Sequence, residues 1–143
     1  MSKKKETEIK FQLVNIEQSG MSLKLPDDVT NVDNYEFGIN LETILDPERE
    51  FAIVKISIDI RSQSSTLAGI LANLWFHIVD FSKVIKKDKA GKLVVPYDLQ
   101  LMINTVAIGT GRGILFSNLR GTALHGAVLP IIDPKDLTLQ PAE

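Results

Sequence analysis

The chain has 143 residues, 44% apolar and 24% charged, with a net charge of −2 and no cysteine. That is the size of a single domain with enough apolar residues for a core. It excludes a disulfide framework and thiolate metal sites, and it gives no global attraction to nucleic acid.

The opening MSKKKETEIKF carries lysines but no apolar h-region, so no signal peptide is visible. The most apolar run, LANLWFHIV, is interrupted by Asn73 and His77 and is too short to span a bilayer. A cytoplasmic protein with no membrane partner is the expectation, as one domain over residues 1–143 with flexible ends at 1–7 and 139–143.

The first strand starts where Ile9, Phe11 and Leu13 alternate with Lys10 and Gln12. The alternation then shifts to Val14 and Ile16, which predicts a bulge near Leu13. Met21, Leu23 and Leu25 continue it beyond Gly20, and Pro26 to Asn34 reads as a polar loop. The second strand sets Tyr35, Phe37, Ile39, Leu41, Thr43 and Leu45 against a polar face on which Ile44 is the exception. DPERE closes it as a turn. The third strand sets Val54, Ile56, Ile58 and Ile60 against Lys55, Ser57, Asp59 and Arg61. The fourth runs from Leu67 to Phe81, with Ile70, Ala72, Leu74, Phe76 and Ile78 on its even face. Short or polar connections predict an antiparallel meander, and KKDKAGK reads as a solvated loop.

Pro96 then opens a helix, where its missing N–H costs nothing. Leu99, Met102, Ile103, Val106, Ala107 and Ile114 make one apolar stripe. Leu101, Ile108 and Leu115 make a second. One stripe suits the sheet; the other calls for a further partner, which this short chain has little left to supply.

Three glycines, Gly109, Gly111 and Gly113, lie inside this helical pattern. A phosphate loop follows a strand and opens a helix, so that backbone N–H groups face the anion. Neither the Walker nor the Rossmann spacing is met, since no Gly-Lys-Ser/Thr follows and Ile114 stands where the third Rossmann glycine belongs. Close packing or a kink is favoured over the alternative, a small-ligand or nucleotide site at Gly109 to Gly113.

Four stretches in this order, YEFGINLETIL, EFAIVKISIDIRS, LVVPYDLQLMINTV and AVLPIIDPKDL, resemble the SecB-type export chaperones. The Pro96-Tyr97 entry into the main helix and the closing Pro130 and Leu137 are similar to that family, and IGTGRGIL is similar to its divergent members. The resemblance covers most of residues 8–138. It implies an α+β fold: a four-stranded antiparallel sheet, one long helix packed on one face, and a short C-terminal helix. It further implies a homotetramer built as a dimer of dimers, ATP-independent holding of unfolded polypeptide clients, no cofactor and no enzymatic activity. On this reading the glycines serve helix packing or subunit contact.

Two departures stand out. Asp98-Leu99-Gln100 replaces the family's usual Ala-Arg-Glu, and Asp133-Pro134 replaces its Asn-Phe. The strand face that is acidic in export chaperones, where the translocase motor docks, is mixed here at Lys55, Ser57, Asp59 and Arg61. Clients in export or in a toxin–antitoxin system both remain open.

The candidate client-binding residues are Trp75, Val79 and Phe81, large side chains outside the expected core. The candidate oligomer interface is Leu101, Ile108 and Leu115. His77 and His125 have no ligand cluster around them, so no metal site is expected. Lys83, Lys86, Lys87, Lys89 and Lys92 lack an aromatic platform on the same loop, so a solvated loop is preferred to a nucleic-acid patch.

Overall fold

Alternating apolar residues in the first half of the chain build a sheet, and the change of period near Pro96 builds the helix that covers it. The computed structural model describes residues 8–25, 34–63 and 65–136. The strands are β1 (Phe11–Leu23), β2 (Glu36–Asp46), β3 (Phe51–Ser62) and β4 (Ser65–Ile78), all antiparallel. Expectations for residues 1–7, most of the 26–34 loop and 137–143 lie outside the described residues.

The strand order is β1-β4-β3-β2. A meander therefore holds for β2, β3 and β4, but β1 is not next to β2. It pairs with β4 at the opposite edge. The physical reason lies in β4, whose even residues from Ala68 to Ile78 are all buried. A strand buried so fully needs a neighbour on each side, and β1 sets Phe11 opposite Ile78 and Leu13 opposite Phe76. The expected bulge is present as a register shift between Leu13 and Asn15, with a second between Gln18 and Gly20. Each shift moves the following residues by one pleat, which keeps Ile16, Met21 and Leu23 on the same face as Phe11 and Leu13.

β4 ends earlier than its hydrophobic pattern implies. Asp80 adopts a left-handed conformation, φ 54°, and turns the chain onto the helix side of the sheet. One turn of helix follows, α1 (Phe81–Val84), then a small hairpin of β5 (Lys86–Lys87) and β6 (Leu93–Val94). The hairpin occupies the stretch that reads as a simple solvated loop.

Helix α2 (Tyr97–Asn118) runs unbroken through all three glycines. Only Gly111 faces the sheet closely: a Cβ there would lie 2.7 Å from Ile58 Cδ1 and 3.0 Å from Ile56 Cδ1. Gly111 lets the helix backbone settle onto the middle of β3. Near its start, α2 is tied to β2 by Gln100, whose Nε2 donates to Thr43 Oγ1 and to Asn104 Oδ1, both at 2.9 Å. Asn104 is the one buried polar residue among the described residues, and Gln100 supplies it with a donor. Near its end α2 is tied to β1 by the paired amides of Gln18 and Asn118. The helix thus crosses the sheet from one edge to the other.

Apart from exposed Met102, the two apolar stripes are the two flanks of one broad face turned to the core. Ile108 and Leu115 are 2% and 1% exposed within the single chain, which corrects their assignment to a subunit contact. Beyond α2, Leu119, Leu124, Ala127 and Leu129 join the same core as Ile108 and Leu115. Arg112 holds this C-terminal segment down, its Nε donating to Leu129 O at 2.8 Å and its Nη2 to Pro130 O at 3.0 Å. Leu101 is half-buried on the rim of this face. The short C-terminal helix is represented by one 3-10 turn, Pro134–Asp136.

Buried isoleucines, leucines and phenylalanine of β3 and β4 dominate the core. Each such side chain contributes about 1.5–3 kcal/mol relative to exposure.

Candidate functional site

A sheet covered on one face leaves its other face to be explained. Register fixes which residues share that open face, because directly paired residues of antiparallel strands project to the same side. Across β2, β3, β4 and β1 the rows read Gly38–Asp59–Gly69–Ser22, then Asn40–Ser57–Leu71–Gly20, then Glu42–Lys55–Asn73–Glu17, then Ile44–Ile53–Trp75–Asn15.

The two ends of this face differ in chemistry. One end is polar. Arg61 Nη2 pairs with Asp59 Oδ2 at 2.8 Å, and Asp59 lies over Gly38, where a Cβ would collide with its carboxylate. The other end is apolar: Ile44, Ile53 and Trp75 stand side by side, and Phe51 continues the row beside His77. The ring of His77 meets that of Phe51 edge-on at 6.0 Å, and His77 Nε2 lies 3.3 Å from Glu50 Oε2. Leu71 adds a further apolar side chain, 51% exposed, leaning over Gly20.

Of the candidate client-binding residues, Trp75 lies within this apolar end and is half-buried. Val79 is exposed just beyond the strand, its N–H donating to Lys10 O. Phe81 does not belong with them. The left-handed turn at Asp80 carries it to the opposite side, where it is 3% exposed in the core. Sequence reasoning missed Ile53, and it missed the meaning of Ile44. Ile44 is out of phase with the alternation of its strand, and that irregularity was the available signal.

Two more apolar surfaces are open. Ile16, Met21 and Leu23 project from the helix side of β1 but are exposed, because α2 packs mainly on β3 and β4 and is tied to β1 only near its end, through Asn118 and Gln18. On the outer line of α2, Met102 and Phe116 are exposed around Gly109 and Gly113. A Cβ at Gly113 would meet nothing within 4 Å, and one at Gly109 would meet only Arg112 Nη1, at 3.9 Å. These two glycines therefore leave the outer helix surface flat without serving the fold of the chain itself.

The Gly109 to Gly113 segment is not a phosphate cradle. Its amides lie in the body of a continuous helix, where each N–H is committed to a carbonyl one turn back. Among the described residues no group of three or more His, Cys, Asp or Glu side chains converges as a metal site. His125 accompanies Thr122 in a local turn, its Nδ1 2.9 Å from Thr122 O. No helix in the described residues is long and apolar enough to cross a membrane.

No family model matches this sequence, and no curated protein matches it. Its fold does match a solved structure, the SecB-like chaperone Rv1957 of Mycobacterium tuberculosis in complex with a ChAD peptide from the HigA1 antitoxin Rv1956. The match covers 85% of this chain and 90% of that one, with a TM-score of 0.57 and 14% sequence identity. At that identity the likeness concerns the fold: this chain has the α+β fold of a SecB-like chaperone, a four-stranded antiparallel sheet with one long helix across it.

Proposed function

We propose that this protein is an ATP-independent holdase that binds non-native polypeptides through exposed apolar surface. The observation that carries the reading is the apolar end of the open sheet face, Ile44, Ile53 and Trp75 in one row, with exposed Leu71 farther along that face and, on the helix side, the uncovered ledge Ile16, Met21 and Leu23 on β1. Apolar side chains left uncovered in groups of this kind mark interaction sites. They suit extended chains of many sequences, because apolar and aromatic contacts need little directional hydrogen bonding. The SecB-like fold supports the same reading, and the solved neighbour is a chaperone that holds a peptide. Polypeptide is the client class; whether those clients are export substrates or antitoxins is left to experiment. The mixed charge of the open face, with Lys55 and Arg61 among its acids, does not favour docking of a translocase motor. A cytoplasmic location goes with this reading.

Self-assembly belongs to the same proposal. The outer line of α2, with Met102 and Phe116 around Gly109 and Gly113, is the surface offered to a second copy, and Leu101 lies near its rim. Small residues let two helix backbones approach closely. One such two-fold contact makes a dimer, and the dimer of dimers that the family likeness implies needs a second surface in addition.

The test is light scattering of several chemically unrelated aggregating clients, with and without an excess of this protein and without nucleotide. Suppressed scattering is expected for most of them. Unchanged scattering with every client would refute the holdase reading.

A further inference from the structure

The hairpin between β4 and α2 concentrates charge in a way the fold does not require. Five of the chain's lysines, Lys83, Lys86, Lys87, Lys89 and Lys92, fall within ten residues, with Asp88 as the only acid among them. Residues 83–92 therefore carry +5 − 1 = +4, and the remainder of the chain carries 11 − 17 = −6, which together give the net −2. The hairpin is a local cationic segment in a chain whose net charge is negative, next to an end of β4 that also carries Glu50 and Asp80.

The hairpin is held rigidly although its strands are only two residues each. A free hairpin of that size would not persist in water. Here Ile85 is buried just before it, and Leu93 packs against the core from its second strand. The turn is closed from within: Asp88 Oδ1 accepts from the N–H groups of Ala90 at 2.8 Å and Lys92 at 2.9 Å, and Gly91 takes φ +82°. The one local carboxylate is thus engaged in shaping the turn. All five lysines are exposed, and none is in an ion pair among the described residues.

Pairing sets what accompanies that charge. Lys86 is opposite Val94, and Lys87 is opposite Leu93. Since Leu93 points to the core, Lys86 and Val94 point away from it, side by side. Val94 is 47% exposed, and Tyr97, three residues on, is 57% exposed. Exposed Val94 therefore flanks Lys86 on the outward side, while Lys87 shares the side of Leu93.

We infer that this hairpin is a docking site for a short polypeptide segment rich in aspartate and glutamate with apolar residues interspersed. The inference deepens the polypeptide-binding reading and rests on it for the class of partner. Complementary charge steers such a segment to the hairpin and fixes its orientation, while Val94 and Tyr97 take its apolar side chains. A long nucleic acid fits less well: beyond the small basic hairpin the other residues of the chain sum to a negative charge.

The experiment is fluorescence anisotropy with a dye-labelled unstructured peptide of Glu and Leu residues, its matched peptide with Lys in place of Glu, and a single-stranded oligonucleotide. Each is titrated with the full chain and with the Lys86→Glu/Lys87→Glu/Lys89→Glu variant, whose fold is checked by circular dichroism. The Glu peptide is expected to bind about tenfold or more tighter than the Lys peptide, to weaken with added salt, and to lose that preference in the variant. Equal binding of the two peptides, an unchanged preference in the variant, or an oligonucleotide that displaces the Glu peptide at lower concentration would each overturn the inference. Suppression of aggregation of an uncharged client by the variant reports separately on the holdase activity. Its retention alongside a lost Glu-peptide preference places the two functions on different surfaces.

Discussion

Gly111 and Gly113 offer a controlled comparison, because alanine brings the same backbone benefit at both and different contacts at each. Both lie inside α2, where glycine is less favourable than alanine by about 1 kcal/mol. At Gly113 a Cβ meets nothing within 4 Å, so Gly113→Ala should stabilise the folded chain by about 0.5–1 kcal/mol. At Gly111 the Cβ would sit 2.7 Å from Ile58 Cδ1 and 3.0 Å from Ile56 Cδ1. Those methyl groups end side chains that are 0% and 1% exposed on a central strand, so they have little room to swing aside. Overpacking of this kind costs about 1–3 kcal/mol. The helix benefit cancels in the comparison, and Gly111→Ala should be less stable than Gly113→Ala by about 1–3 kcal/mol. Urea unfolding of the two variants measures the difference. It should be run at several protein concentrations, because Gly113→Ala also enlarges the outer helix surface and would reduce any concentration-dependent part of the stability. A Gly111→Ala variant as stable as Gly113→Ala would refute the close approach of α2 to β3.

Three further outcomes are expected. Arg112→Lys cannot span both Leu129 O and Pro130 O, so it should cost about 1–3 kcal/mol; hydrogen exchange should quicken around residues 129–132 while the β3 and β4 amides stay protected. Phe116→Asp places a charge on the exposed outer line of α2, so it should lower the mass seen by sedimentation while leaving the circular dichroism of the chain intact; an unchanged mass would remove that surface from the assembly proposal. Trp75 should shift its fluorescence when an unfolded polypeptide is added, and Trp75→Ala should weaken client binding more than assembly; an emission that ignores both client and quencher would remove Trp75 from the client surface.

The sheet was legible because its alternation is nearly uninterrupted. Val54 to Ile60 and Ile70 to Ile78 keep a period of two, and those residues are the buried ones. Order within the sheet was not legible. Which edge β1 joins depends on which neighbour buries Phe11 and Leu13, a long-range choice that carries no local pattern. The helix was legible in its extent but not in its facing. Leu101, Ile108 and Leu115 recur every seven residues, yet a helix whose flank is also covered shows the same recurrence as one that meets a second subunit. Arg112 was the available hint: a long cation in the middle of an apolar helix that reaches carbonyls of the chain's own C-terminal segment.

The candidate site was the least legible part, and for a physical reason. A core announces itself by periodicity, since every residue facing inward must be apolar. A surface that binds many unfolded chains needs only a few apolar residues brought together by pairing between strands, and those residues are scattered in sequence. Ile44, Ile53 and Trp75, which pairing sets in one row, come from three strands. Each taken alone passes for noise in its strand, as Ile44 did on the polar face of β2. The same argument explains Phe81. One residue at φ 54°, Asp80, reverses the side to which everything after it belongs, so a face assignment carried past the end of β4 fails at once. Exceptions to alternation within a strand therefore point outward to surface, while exceptions just past a strand end point to a turn of the chain. Trp75 falls in the first class and Phe81 in the second, which is why they part company although only five residues separate them.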